Sequence, residues 1–316
     1  MGDFLTLAAM DSSTPLRVVS VSLGSPTRDH IAQTELLGRT WSIERRGTGG
    51  DLKRAEELIR ELDGHVAAFG LGGIDLYLVA DGKRYPVRDA MRLARAATQT
   101  PVVDGSGLKD TLERTAIQTL QTEGTLDFKG RKVGLTSAVD RFGMAEELVR
   151  VGADVTFGDW IFVLGLPFQM KSIRTVRRAA TWVLPIAGRL PFSVLYPVGE
   201  KQTQILDKKL HRSFFEDNEI IAGDFLLIRR YLPARLDGKT IITNTVTSAD
   251  VELLRERGLA RLVTTTPEFG GRSFGTNVME GILAAMGDKT SDDYKRRLDE
   301  LGWKPRVVEL QSAARA

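Results

Sequence analysis

From Leu16 onward, short runs of β-branched and aromatic residues alternate with longer stretches whose apolar positions recur every three or four residues. That is the pattern of an α/β protein built on a largely parallel sheet. The runs RVVSVSL (17–23), TWSIER (40–45), VAAFGL (66–71), DLYLVA followed by KRYPV as a hairpin (75–87) and TPVVD (100–104) predict strands. Between them DLKRAEELIRELDG (51–64), RDAMRLARAATQ (88–99) and LKDTLERTAIQTLQTEG (108–124) predict helices, the first closing on glycine as helices often do.

A basic, glycine-containing stretch, LDFKGRK, marks a boundary before the next strand. Beyond it KVGLTS (132–137), a helix through FGMAEELVRVG (142–152) and ADVTFGD (153–159) form a β-α-β unit. EIIAGDF (219–225), KTIITNT (239–245) and ARLVTTT (260–266) predict three further buried strands. A helix with a T-x-x-D capping signal at Thr247 and Asp250 separates the last two.

Composition narrows the chemistry. The 316 residues are 42% hydrophobic and 27% charged with a formal net charge of +3, ordinary globular values that give no footprint of a nucleic-acid binder. With no cysteine there is no disulfide, thiolate metal site or cysteine nucleophile. The three histidines, His30, His65 and His211, lack metal-ligand spacing, so no metal is expected. No uncharged stretch is long enough for a bilayer span and the first residues carry no basic n-region, so a cytoplasmic protein is expected. The opening also fits the loose M-G-x-x-x-[ST] pattern through Gly2 and Thr6, and is read as an unstructured start.

The stretch LTSAVDRFG (135–143) stands where a dinucleotide-binding turn would carry several glycines. Such a turn needs them to bend sharply and to bring the backbone and a helix N-terminus to the pyrophosphate. Gly143 keeps the helix-packing position, while Ser137 and Asp140 occupy the two earlier ones. Hydroxyls of Thr136 and Ser137 suit a phosphate, whereas a carboxylate at Asp140 competes for its place. Asp159, twenty-two residues after Ser137, is placed for the ribose 2′-hydroxyl of NAD and against the extra phosphate of NADP. The expected cofactor set, for NAD or NADP, is Thr136, Ser137, Asp140, Arg141, Phe142, Gly143 and Asp159, with Asn244, Thr245 and Thr266 after the later strands. Read without a cofactor, Asp140 caps a helix and Asp159 ends a strand.

VVDGSGLKDTLER (102–114) resembles the D-G-x-G-[FL]-x-x-x-L segment of shikimate and quinate dehydrogenases, and Asp104 matches their catalytic aspartate. VSVSLGSPTRDH (19–30) is similar to their N-terminal serine motif, with Ser22 and Ser25 nearest to the hydroxyls that hold the substrate carboxylate. YPVRDAM (85–91) resembles their P-x-K-E-x-A segment, but Arg88 replaces the catalytic lysine. TPEFGGRSFGT (266–276) has the T-P-x-x-G-G-x-x-x-x-T spacing of methylenetetrahydrofolate dehydrogenases, distant relatives of similar build. The whole is most like bacterial proteins labelled quinate 5-dehydrogenase, over roughly residues 17–287.

The resemblance implies a two-domain α/β fold: an N-terminal α/β substrate domain (15–115), a Rossmann-like doubly wound parallel sheet (116–271), a helix (275–287) crossing back, and a C-terminal tail (288–316). It also implies an NAD(P)-dependent oxidoreductase acting on a hydroxylated or keto carboxylic acid in the cleft between the domains. Arginine stays protonated and cannot take the hydroxyl proton, so Lys109 or Lys83 would have to partner Asp104, with Arg88, Ser22 and Ser25 gripping the acid. Two other frameworks are absent: no tyrosine is followed four residues on by lysine, and there is no G-x-S-x-G elbow. Arg88 and Asp140 equally suit a ligand-binding or regulatory protein that has lost hydride chemistry.

The segment 160–199 fits no template: it has five basic residues, no acidic one, and a run of prolines after its helical part. Lys171, Arg174 and Arg178 fall on one helical face, Ile173, Val176 and Ala180 on another. Packing into the core or a homodimer interface is the first expectation. An apolar or amphipathic small-molecule substrate beneath it comes next, ahead of a membrane surface.

Overall fold

The computed structural model describes residues 14–80, 83–162, 165–191, 209–266, 268–269, 272–273 and 275–311. The Gly2 pattern and parts of the 160–199 and 266–276 segments lie outside them. The fold is mixed α/β with two parallel sheets, as the alternating pattern predicts.

The first sheet has the order β2-β3-β1-β4-β7. Strands β1 (Leu16–Ser22), β3 (Arg39–Gly47), β4 (Ala68–Gly72) and β7 (Val102–Val103) run parallel. β2 (His30–Leu36) pairs antiparallel at the edge and was not predicted. Along β1, Leu16 and Val18 enter one core with Trp41 and Ile43, while Val19 and Val21 enter another with Phe69 and Leu71. This two-sided burial is why the strand is almost continuously apolar. Helices α1 (Leu52–Leu62) and α2 (Arg88–Ala94) cover one face, and the hairpin of β5 (Tyr77–Ala80) and β6 (Lys83–Pro86) stands beside it.

Helix α3 (Ser106–Thr122) leads to the second sheet, of order β15-β12-β11-β10-β8-β9. β8 (Lys132–Leu135), β9 (Asp154–Phe157), β10 (Ile220–Ala222), β11 (Thr240–Thr243) and β12 (Arg261–Thr264) are parallel. Ile220, Ala222, Ile242 and Val263 face one core and Ile221, Ile241 and Leu262 the other. The chain steps outward from β8 to β9 and then returns across β8 to β10, so the switch point lies between β8 and β10. In such sheets ligands bind outside the carboxyl ends of the strands at that point.

Helix α4 (Phe142–Arg150) follows β8, a four-residue turn α5 (Asp159–Phe162) follows β9, and α6 (Ile173–Ala187) lies in the 160–199 segment. Val176, Ala180 and Leu184 of α6 pack into the core shared with α4 and with Leu78 and Tyr85 of the hairpin. Part of the segment is thus a packed crossover. Helices α7 (Lys209–Asp217) and α8 (Phe225–Arg230) flank β10. The capping box at Thr247 and Asp250 opens α9 (Ser248–Glu256) as read from sequence.

After the antiparallel pair β13 (Glu268–Phe269) and β14 (Arg272–Ser273), helix α10 (Thr276–Ala285) returns to the first sheet, where Val278 and Ile282 join Val18 and Trp41. Residues 288–310, expected as part of a tail, instead form α11 (Ser291–Glu300) and β15 (Arg306–Glu309). α11 buries Tyr294 and Leu298 against Leu108 and Leu112 of α3, and β15 pairs antiparallel with β12.

Candidate functional site

The turn between β8 and α4 has the build of an anion nest. The backbone N–H groups of Ala138 and Val139 point the same way, and both donate to one carboxylate oxygen, Asp159 Oδ1, at 2.9 and 3.0 Å. Ser137 Oγ approaches the same oxygen at 3.4 Å. Asp159 is buried, and burial raises its carboxyl above the usual range while those N–H groups pull it back. Where the spacing places Asp159 for a ribose hydroxyl, its carboxylate here folds back onto the amides that a pyrophosphate would use. Sequence spacing locates the residue, but a side chain's direction across a turn is a tertiary property.

Around this turn the expected cofactor residues are committed to one another. Arg141, buried, donates to Glu113 of α3 and to Asp224 Oδ2 at 3.1 Å. Asp224 also accepts from Asn244 Nδ2 at 2.9 Å and caps α8 through the N–H groups of Leu226 and Leu227. Asn244 Oδ1 accepts from Phe225 N at 3.0 Å, and Thr245 Oγ1 donates to Thr266 Oγ1 at 2.8 Å. Thr136 is buried with its Oγ1 against Gly223, where a Cβ would lie 2.1 Å away. Phe142 is buried under the Arg177 guanidinium. Gly143 does keep a close-packing role, but toward α3: a Cβ there would sit 2.1 Å from Asp110 Oδ1.

Burial pushes the Glu113 carboxyl up to about 7, against the pull of Arg141 and Lys109. Burial alone would depress Arg141, and the carboxylates of Glu113, Asp140 and Asp224 reverse this and hold it firmly protonated. Asp140 is drawn down to about 2, since Lys109 and Arg141 outweigh its desolvation. A dinucleotide pyrophosphate does not fit this turn as it stands: its amides hold Asp159, and Asp140 adds a second negative charge beside them.

The expected catalytic set is likewise dispersed. Asp104, at the end of β7, accepts from Leu76 N at 2.6 Å, Ser106 N at 2.9 Å and Ser106 Oγ at 2.7 Å, which makes it the capping carboxylate of the turn into α3. Lys109 Nζ donates to Asp140 Oδ1 at 3.0 Å. Burial would lower its ammonium, but Asp140 and Asp75 outweigh this and hold it above the ordinary lysine range, the reverse of what a general base requires. Lys83 is exposed at the tip of the hairpin, opposite Ala80. That is three residues, about 10 Å, from the Tyr77–Pro86 pair at its base. Arg88 is exposed beside Asp89, with Nε 3.2 Å from Oδ1. Ser25 is exposed and caps the turn at Pro26 through Thr27 N.

Ser22 does lie at the carboxyl end of β1, where its oxygen accepts from Gly24 N at 3.1 Å and Arg45 Nη2 at 3.0 Å. Two groups near Asp104 went unread in the sequence. Glu280 of α10 is buried and accepts from Tyr294 Oη at 2.9 Å, with Oε2 lacking a hydrogen-bond partner. Burial, aided by the charge of Asp104, lifts its carboxyl to about 7. Its only signal in the sequence is that it is the sole charged residue between Arg272 and Asp288.

The two largely parallel sheets and the helices that cover them define a two-domain α/β protein. The chain belongs to the family described as Domain of unknown function (DUF8754), which matches residues 107–310. A second description, Domain of unknown function (DUF8753), matches residues 17–104. No curated protein matches the chain significantly.

Among solved structures, a sugar ABC transporter substrate-binding protein from Bordetella parapertussis is 11% identical, with a TM-score of 0.35 over 96% of this chain and 92% of that one. An arabinose-binding protein from Geobacillus stearothermophilus is 10% identical, with a TM-score of 0.40 over 94% and 97%. An NAD-dependent malic enzyme from Thermotoga maritima is 12% identical, with a TM-score of 0.34 over 89% and 72%. Similarity this low carries no functional meaning.

Proposed function

We propose that this is a ligand-binding protein without hydride chemistry, taking a hydroxylated carboxylic acid in the cleft at the carboxyl ends of its two sheets. The observation that carries the proposal is the Asp159 carboxylate on the N–H groups of Ala138 and Val139. An internal anion in the nest removes the one feature a dinucleotide most needs. Ser22 supports the ligand class: its oxygen already accepts two hydrogen bonds, so its hydroxyl hydrogen is left to donate, and a carboxylate is its natural acceptor.

A calorimetric titration with NAD, NADH, NADP and NADPH should give no heat, whereas shikimate or quinate as probe acids should bind and lose affinity in Ser22→Ala. Micromolar binding of any dinucleotide sinks the proposal. The second reading, an NAD(P)-dependent oxidoreductase on a hydroxylated or keto acid, draws on Glu280, poised near neutrality beside Asp104. It requires Asp159 to leave the nest first, and turnover of a hydroxy acid with added NAD or NADP would decide for it.

A further inference from the structure

Nine large hydrophobic side chains are strongly exposed among the described residues, and six of them fall between 166 and 190: Leu166, Phe168, Trp182, Val183, Ile186 and Leu190. Trp182 is 79% exposed and Ile186 65%. Arg174, Arg178, Trp182 and Ile186 follow one another at intervals of four, so they form a single ridge along α6, with Leu190 continuing it past the helix end. The opposite face of the helix is already buried through Val176, Ala180 and Leu184. Among the described residues nothing covers the ridge.

Its charge is one-sided. The segment 160–199 contains five basic residues and no acidic one. Arg177 pairs with Glu146 at 2.5 Å, while Lys171, Arg174, Arg178 and Arg189 are exposed and have no ion-pair partner among the described residues. Arg174 sits in the first turn of α6, where the helix dipole disfavours cations and no acidic residue offsets it, and Arg178 stands one turn further on. Something anionic outside the chain would relieve both. A second copy of the chain is a poor fit, because a twofold contact through this segment brings no acidic residue of its own to the arginines, whichever way the two helices run. A tryptophan and aliphatic patch rimmed by basic side chains is what an interfacial helix presents to a bilayer containing acidic lipid.

We propose that α6 and the loop before it dock the protein on an anionic lipid surface, with Trp182 and Ile186 inserted at the headgroup boundary and Lys171, Arg174, Arg178 and Arg189 over acidic headgroups. The docking is independent of what the cleft binds.

The test is co-sedimentation of the full chain with phosphatidylcholine vesicles, with and without about a third phosphatidylserine, at low and high salt. Sedimentation with the acidic vesicles that salt reverses is expected, together with a blue shift of fluorescence that Trp182→Phe abolishes. Replacing Arg174 and Arg178 together by Gln should weaken partitioning about 30-fold, near the effect of two surface charges. Both side chains are exposed, so these variants leave the core intact. Absence of sedimentation at low salt overturns the proposal, as does binding that ignores both the arginine pair and Trp182. A concentration-dependent dimer that Trp182→Ser dissolves, without lipid binding, assigns the ridge to a second copy instead.

Discussion

The carboxylate of Asp159 accepts the backbone N–H of Val139 at 3.0 Å, across twenty residues of chain. A side chain from the end of β9 thus does for the β8–α4 turn what a bound anion does in related folds, and the turn's stability depends on it. Asp159→Ala should cost about 2 kcal/mol, because two N–H groups lose a charged acceptor. Millimolar inorganic phosphate should recover part of the loss by occupying the nest. Urea denaturation with and without phosphate checks both statements, and an unchanged midpoint would show that the contact contributes nothing.

Arg141 is the only cation in contact with both Glu113 and Asp224 among the described residues. Removing it leaves two carboxylates without their counter-charge, which for buried pairs costs about 3–5 kcal/mol. Arg141→Met should therefore be severely destabilised. Adding Glu113→Gln should return at least about 1 kcal/mol, since the fully buried carboxylate then no longer has to be charged. Thermal melts of the two variants make the comparison.

Glu280 gives a pH signature. Its carboxyl is raised by burial from an ordinary 4.5 to about 7, with Asp104 opposing its ionisation and the Tyr294 hydroxyl donating to it. A raised folded-state value means that stability is fully present below pH 4.5 and is lost as pH rises to 7, by about 3 kcal/mol in all. Glu280→Gln has no proton to release there. Its stability minus that of the wild type should climb by about that amount between pH 4.5 and 8. Glu113 titrates in the same window in both proteins and cancels in the difference. A flat difference would contradict the assignment.

Gly105 has φ +88°, and a Cβ there would lie 2.5 Å from Asn277 N. Gly105→Ala combines a left-handed backbone penalty of about 1–2 kcal/mol with overpacking of about 1–3 kcal/mol. A loss of roughly 3 kcal/mol is expected, measured by denaturant midpoint, with α10 displaced from β4 and β7.

Most of both sheets was legible because their strands are buried on two faces and read as apolar runs. β2 was not: in HIAQTEL only Ala32 and Leu36 are buried, and a half-solvated edge strand leaves little trace. α11 is polar apart from Tyr294 and Leu298, yet the T-x-x-D signal at Thr290 and Asp293 marks its start as Thr247 and Asp250 mark that of α9. The site was legible as positions and not as roles. Asp104 follows β7, Asp159 follows β9 and Arg141 stands just before α4, and each is turned toward its own chain. Pairings such as Glu113 with Arg141 arise only when α3 is laid beside α4, and no local spacing encodes them.

The chain crosses between its halves three times. It passes from the first sheet to the second along α3, comes back with α10, and passes over again to lay β15 on the edge of β12. Three separate connectors restrain relative motion far more than one does, as three pins hold a door more firmly than one. Severing any single connector leaves two in place, so a lone proteolytic nick should slacken the hinge without letting the lobes part.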